Sequence, residues 1–461
     1  MSQVRQFVAR HARPSPDYLN AGNLIVVFIC LLYILPARLV FPGMGGAGRP
    51  AVVAGLGLLL WWLLTRLHPT LIIRTVQPVR WVLLVLVITF LAAYIAGFDR
   101  GLLPLEARSA DRYLLTLGSW LGVALIAADG LRNRKDVDRI IGALVGLSAF
   151  SAALGTLQFY GLDLSPYIQI PGLVYNRELV GLGLRGGPGF SRVYGTQQHY
   201  IEFGVVLAMV LPLAIHRAIT ATTTRSIRRR WIIVGILAAA VPFSVSRAGF
   251  LGLTIAFVAL CSVWPRAFRM KAILVAVMAL GLFRVINPGV LGTIRSAFLN
   301  YGNDPSIINR RADYAATSSY ITDRPWFGRG LGSYVPEIYR VLDNQFLSSL
   351  LDVGLVGTVA LTAVYLGTYA LGRVVRKNAT RTDDAHLGQA LAASALVALV
   401  TSLTFDALAF PTFAGLLFLL FGLSGALWRI ALMSPRVPSD RQEPLVAPAW
   451  KVLDDGLRKT E

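Results

Sequence analysis

The stretch "VPFSVSRAGFLGL", residues 241 to 253, sets one permanent charge, Arg247, inside an apolar run that extends from Trp231 to Trp264. That run, about 34 residues, is too long for one membrane crossing and long enough for two short ones, so the chain is expected to turn at Arg247. Small residues beside it, Ser244, Ser246, Ala248 and Gly249, suit a tight reversal or close helix packing. Two readings of the arginine follow. Either it snorkels to the membrane interface, or it is a functional cation whose partners lie on the same side.

Working outward, the same alternation of apolar runs and short basic connectors continues through the chain. Of its 461 residues, 55% are hydrophobic and only 15% charged, which excludes an ordinary soluble domain. The expected fold is an all-α integral membrane protein of about 12 transmembrane helices with a large external loop that itself contains helices. The candidate spans lie near 21 to 41, 49 to 65, 80 to 98, 113 to 129, 139 to 159, 198 to 220, 231 to 246, 248 to 264, 271 to 290, 345 to 371, 388 to 405 and 408 to 432. In regions, the chain reads as residues 1–197, five helices and an external loop; 198–290, four helices with the arginine turn; 291–344, an external catalytic loop; 345–432, three helices; and 433–461, a cytoplasmic tail.

The net charge of +20 would suggest a nucleic-acid partner in a soluble protein. Here the arginines concentrate in alternate connectors such as "TRLHPTLIIRTVQPVR", "GLRNRKDVDR" and "TTTRSIRRR". The positive-inside rule explains them, so no nucleic acid is expected, both termini are placed in the cytoplasm, and a plasma-membrane location follows. The basic start "MSQVRQFVARHAR" leads into a first span with no clear cleavage site and reads as retained. Cys30 and Cys261 both fall in apolar runs, which argues against a disulfide frame or a cysteine metal site.

The remaining connectors should face outside, and two of them, 160 to 197 and 291 to 344, are long. The first carries Arg185 and Arg192 in "GLGLRGGPGFSRVYGTQQHYIEFG", with His199 and Glu202 at the start of the next span. The second begins with a predicted helix: Pro305 and Ser306 open it and Asp323-Arg324-Pro325 stops it. Ser306, Arg310, Asp313 and Thr317 would share one face of that helix, either as part of a site or as the polar side of an interfacial helix.

Arg192, Arg247 and Arg310 or Arg311 together suggest an anion to be held. Guanidinium groups pair with phosphate oxygens and keep their charge, so a cluster at a membrane surface suits a lipid phosphate or diphosphate. No carboxylate pair has metal-ligand spacing, so neither a metal nor another cofactor is expected. "GRGLGS", Gly328 to Ser333, superficially matches a dinucleotide fingerprint but follows no strand; a turn that brings backbone close to the membrane or the substrate fits better.

These segments resemble the O-antigen ligase and polymerase superfamily of bacterial membrane glycosyltransferases. The likeness rests on "SRAGFLGL", on "RVYGTQQHY", and on "RADYAATSSYITDRPWFGRGLGSY" followed by "LDNQFLSSLLDVGLVG", roughly residues 190 to 360. The resemblance implies a GT-C type fold, an undecaprenyl diphosphate glycan donor, and a glycan or glycolipid acceptor that supplies a sugar hydroxyl, with membrane lipid around the site. It implies that Arg192 and Arg247 bind the diphosphate. Ligases of the family place a histidine before the asparagine that enters the tenth span; here that position is Asp343, so ligase and polymerase both stay open.

Asp343 is the expected general base, with a solvated helix cap as its structural alternative. His199 is the competing base and has a structural reading of its own as a helix-end residue. Asn344 would orient the base or an acceptor hydroxyl, and Asp352 reads as a packing or polar-network residue. Arg310, Asp313 and Tyr314 would shape the sugar or acceptor groove, with Arg311 and Arg185 as further substrate contacts. A carrier or flippase for lipid-linked glycans is the reading from a different class; it would favour charges deep in the spans and two related halves.

Overall fold

The computed structural model describes residues 20–67, 76–176, 192–287 and 305–433. Among them the chain is almost entirely helical. The helices are α1 (Ala21–Tyr33), α2 (Pro50–Arg66), α3 (Pro78–Arg100), α4 (Pro104–Gly130), α5 (Arg134–Phe159), α6 (Tyr200–Ile219), α7 (Thr224–Phe243), α8 (Arg247–Cys261), α9 (Arg266–Ile286), α10 (Pro305–Asp323), α11 (Gln345–Asn378), α12 (Thr382–Thr401) and α13 (Pro411–Trp428). Each of the twelve apolar segments contains one of these helices, and α10 is the additional, polar one. Seven are long and apolar enough to cross a membrane, and three more, α1, α2 and α8, are apolar but shorter.

Local chemistry sets the helix starts. Proline occupies the first turn of α2, α3, α4 and α13, where its missing N–H costs nothing. Asn20, Asn133, Thr223, Ser246 and Asn344 place side-chain oxygens on the exposed N–H groups of α1, α5, α7, α8 and α11.

Two boundaries differ from expectation for the same reason. The first apolar segment stops being helical at Tyr33, ahead of Pro36, and residues 34 to 48 leave the bundle as a loop. Conversely, α4 starts well before the predicted span, because Pro104 and Glu106 build a helix start within the polar stretch.

Helices α13 and α6 are buried nearly all round and form the centre, with α4, α11 and α12 packed about them. Helix α9 has no buried residue and lies at the periphery. Outward apolar side chains such as Trp81, Ile88, Ile95, Ile232 and Val258 are more than half exposed, the pattern of a surface that meets hydrocarbon.

Connectors separate into two sets at opposite ends of the bundle. At one end Asp129 receives Arg66, Arg80 and the Trp62 indole N–H, while Arg134 reaches Asp138 and Asp384. At the other end a two-residue antiparallel pair joins β1 (Leu39–Val40) to β2 (Val174–Tyr175), so the loop after α1 is tied to the loop after α5.

The least regular element is α11. Gly354 has φ +65° and ψ −168°, and the helix breaks there. The carbonyls of Leu351 and Asp352, which would otherwise accept from Leu355 and Val356, accept from Arg329 (2.7 Å) and Gly330 (3.1 Å). The freed N–H groups of Leu355 and Val356 donate to Pro325 (2.8 Å) and Trp326 (3.2 Å). Thus the segment "RPWFGRGLGS" enters the break and replaces the lost backbone partners on both sides, each otherwise a cost of about 1–3 kcal/mol. Gly328 and Gly354 are needed for the approach: a Cβ on Gly354 would lie 2.6 Å from the Gly328 nitrogen. This packing role, rather than a nucleotide fingerprint, accounts for the glycines.

Candidate functional site

Arg247 is the first residue of α8 and half-buried. The reversal predicted at this arginine falls just before it. Helix α7 ends at Phe243, after Pro242, and Val245 turns the chain with φ +45°, a conformation that costs a β-branched residue about 1–3 kcal/mol. Ser246 then caps α8 through Gly249 N–H. The guanidinium is therefore carried at a helix N-terminus, where the peptide dipoles add to its positive potential. Gly249 and Gly204 bring α8 and α6 into close contact, so this turn packs beside the first turn of α6.

The same first turn holds Arg192 and His199. Arg192 donates to the Tyr200 hydroxyl at 2.6 Å and lies 4.6 Å over the Tyr200 ring, so a phenol rather than a carboxylate holds its charge. His199 is the N-cap of α6; its Nδ1 accepts from Ile201 N–H at 3.3 Å. Its ring packs on Tyr200 and Phe410, with centroids at 4.0 and 5.6 Å. This arrangement gives His199 the structural role of a cap. Glu202, one turn later, is fully buried and accepts from the backbone N–H groups of Gln198, Thr412 and Phe413. The Arg192–His199 segment is thereby fixed to the turn between α12 and α13.

That turn meets the start of α11. Gln345 donates its backbone N–H to Ser402 (2.9 Å) and Phe405 (3.1 Å), and its side-chain oxygen accepts from Leu408 N–H at 2.6 Å. Asp343 and Asn344 precede it, and both are half-buried. The cap of α11 is Asn344, which accepts from Phe346 N–H at 2.9 Å, so Asp343 is not held by that role.

Asp406 lies in the apposed turn and went unrecognised in the sequence. Burial, together with the charge of Asp343, pushes its carboxyl up to about 7 against an opposing hydrogen bond from Ser348. An acid in a short apolar turn at the end of two spans was the available signal.

Helix α10 completes this side. Asn344 donates through Nδ2 to the Tyr314 hydroxyl at 3.0 Å, and buried Asp313 pairs with Arg340 at 2.8 Å. Asp313 and Thr317 share the inward face, as the spacing predicts, while Tyr314 is 55% exposed. The side chains of Arg310 and Arg311 and the whole of Arg185 lie outside the described residues. Asp352 sits at the break in α11 and accepts from Tyr334 N–H at 2.9 Å, a network role. Among the described residues no three His, Cys, Asp or Glu side chains are grouped to hold a metal ion.

Arg192, Arg247, Asp343, Asp406 and Tyr314 are thus carried by elements that meet at one end of the bundle, away from the Asp129 end. Fixed cations there can hold an anion, and a carboxylate pair can take up a proton.

Residues 232–362 match the family model described as O-antigen ligase, which supports the O-antigen ligase and polymerase superfamily. The match runs from α7 into α11 and includes Arg247, α10, Asp343 and Asn344; Arg192 and Asp406 lie beyond it. No match to a curated protein was found for the chain. The apolar helices and the family match together indicate an O-antigen ligase- or polymerase-like membrane protein.

Proposed function

We propose that the protein transfers a glycan from an undecaprenyl diphosphate donor to a sugar hydroxyl at the outer face of the bacterial plasma membrane. One observation carries this reading: the elements bearing Arg192, Arg247 and the Asp343–Asp406 carboxyl pair meet at the end of the bundle opposite the basic connectors. The positive-inside rule places those connectors in the cytoplasm and the site outside, with both termini inside.

In the reaction, Asp343 takes the proton of the acceptor hydroxyl as its oxygen attacks the anomeric carbon. The bond from that carbon to the diphosphate oxygen breaks, and the electron pair leaves with the diphosphate. Arg192 and Arg247 stabilise the charge that develops there, with no metal required. Direct displacement inverts the anomeric configuration.

Asp406 has a supporting part. Below about pH 7 it holds its proton, so it adds no negative charge beside Asp343. Tyr314 and Asn344, linked across the cleft between α10 and α11, orient the acceptor beside Asp343. The acceptor decides between ligase, which joins the glycan to a glycolipid, and polymerase, which extends another glycan chain.

The test is transfer by the purified protein in liposomes, with a polyprenyl diphosphate glycan and a panel of sugar acceptors. Arg247→Ala and Asp343→Ala should each lower transfer by about 10²–10⁴-fold at unchanged melting temperature, and chelation should leave the wild-type rate intact. Retained anomeric configuration would overturn the displacement mechanism. Donor binding or translocation without any transfer would replace the enzyme with a carrier.

A further inference from the structure

A cavity of about 720 Å³ opens between the loop after α1, the loop after α5 and the 192–199 segment. Arg38, Gln169, Leu173, Tyr175, Tyr194 and Gln197 are among its lining residues. It does not include Arg247, Asp343 or Asp406, yet it shares the 192–199 segment with the proposed transfer site.

Two buried polar side chains in its wall have unused donors. Arg38 is only 9% exposed; its Nη2 donates to the Gln198 carbonyl at 3.1 Å, but its Nε has no hydrogen-bond partner among the described residues. Gln197 is 1% exposed; its oxygen accepts from Ser151 at 2.8 Å, while its Nε2 is likewise without a partner. Buried donors of this kind are normally satisfied, so a pair of them at one cavity points to a group that accepts there.

The guanidinium stacks 4.5 Å from the Tyr194 ring centroid, and neither that ring nor the Gln198 carbonyl cancels its charge. The tyrosine hydroxyls are engaged elsewhere: Tyr194 donates to Asp163 at 2.8 Å, and Tyr175 donates to the Ser165 carbonyl. Burial alone would raise the Asp163 carboxyl, but hydrogen bonds from Ser165, Tyr194 and Gln158 hold it below its ordinary value. What remains for a ligand is aromatic surface, two neutral-pH donors and one fixed positive charge. The strand pair and the Asn176 N–H bond to the Arg38 carbonyl, at 2.9 Å, fix the walls relative to each other.

We infer that this cavity is a saccharide subsite for an acidic sugar residue of the glycan being transferred or extended. The C–H face of the ring lies against tyrosine, its oxygens accept from Gln197, and its carboxylate meets Arg38. The inference rests on the proposed glycan substrate. Because the 192–199 segment supplies both Arg192 and this wall, the subsite reads sugars near the diphosphate end of the donor or on the incoming acceptor.

The experiment is equilibrium binding of methyl β-glucuronide and methyl β-glucoside to the purified full chain in detergent, followed by saturation-transfer NMR. The glucuronide should bind at least about tenfold more tightly, a factor of ten being 1.4 kcal/mol. Arg38→Gln should remove that preference. Leu173→Trp, which fills the cavity and leaves the Arg38 and Gln197 hydrogen bonds in place, should abolish binding of both probes at an unchanged melting temperature. Equal affinity for the two probes, no binding by the wild type, or undiminished binding by Leu173→Trp would each overturn the subsite.

Arg247→Ala separates this inference from the transfer reading, since it should lose transfer while it retains glucuronide binding. In the transfer assay, glucuronide that competes with the donor assigns the subsite to the donor glycan; competition with the acceptor assigns it to the acceptor.

Discussion

The two ends of the helix bundle use charge in different ways. At the basic end, arginines are tied to carboxylates or to carbonyls: Arg66 and Arg80 to Asp129, Arg134 to Asp384, Arg217 to the Asp138 carbonyl, and Arg429 to the carbonyls of Ala128 and Leu131. At the Arg247 end, much of the fixation is done by backbone groups. Glu202 gathers three N–H groups, Gln345 bridges to the turn between α12 and α13, and the glycine-rich segment fills the break in α11.

Ion pairs occur there too, between Arg100 and Glu106 at 3.0 Å and between Arg340 and Asp313 at 2.8 Å. The difference teaches that a membrane protein can fix the geometry of a polar end largely through uncharged backbone groups instead of through ion pairs alone.

The most severe way to break this comparison is Gly354→Ala. A left-handed residue gains a Cβ that meets the Gly328 backbone, so the glycine-rich segment is displaced and four backbone groups lose their partners. The expected loss is at least about 4 kcal/mol, measured as a drop in melting temperature or in folded yield. A variant as stable as the wild type would show that the break is not held by this segment.

Next in size is Asp129→Asn, which leaves two partly exposed guanidiniums without their carboxylate. It should cost about 2–4 kcal/mol, below the full buried-pair range because both arginines are about a quarter exposed. Transfer per folded molecule should not change; a loss of rate at this end would erase the distinction between structural and chemical charges.

The smallest effect sharpens the acidic pair. In the folded chain the Asp406 carboxyl is raised to about 7, against about 3.9 for a free aspartate. The unfolded chain therefore releases this proton first, and stability falls as pH rises from about 4 to 7, then levels off. Asp406→Asn removes that loss: its melting temperature should equal the wild type's at pH 4 and exceed it at pH 8. Partial exposure of the carboxyl limits the gain to about 1–2 kcal/mol. A pH-independent difference would mean that the fold does not raise the Asp406 carboxyl.

The helices were legible because hydropathy has a long range: twelve apolar segments and their basic connectors identify themselves without tertiary information. Arg192, Arg247, Asp343 and Tyr314 were singled out as candidates because charge topology and a family likeness put them on one side. Asp406 was not, since a lone acid in a turn carries no motif; its character comes from burial in the folded bundle and, after that, from Asp343, sixty-three positions away in the chain. Arg38 was absorbed into the first apolar segment and came into view only because α1 ends at Tyr33. The break in α11 was equally hidden, for "LLDVGLVG", apolar apart from Asp352, contains no proline to mark an interruption.

The segment lodged in α11 also constrains biogenesis. Residues 325 to 330 leave the ribosome before α11 does, so their backbone groups wait for partners on a helix not yet made. When α11 enters the bilayer, its carbonyls at Leu351 and Asp352 and its N–H groups at Leu355 and Val356 cannot be left to hydrocarbon. Insertion of the helix and docking of the loop therefore form one cooperative step. A nascent chain halted before α11 is complete would display that loop as an undocked, protease-accessible segment.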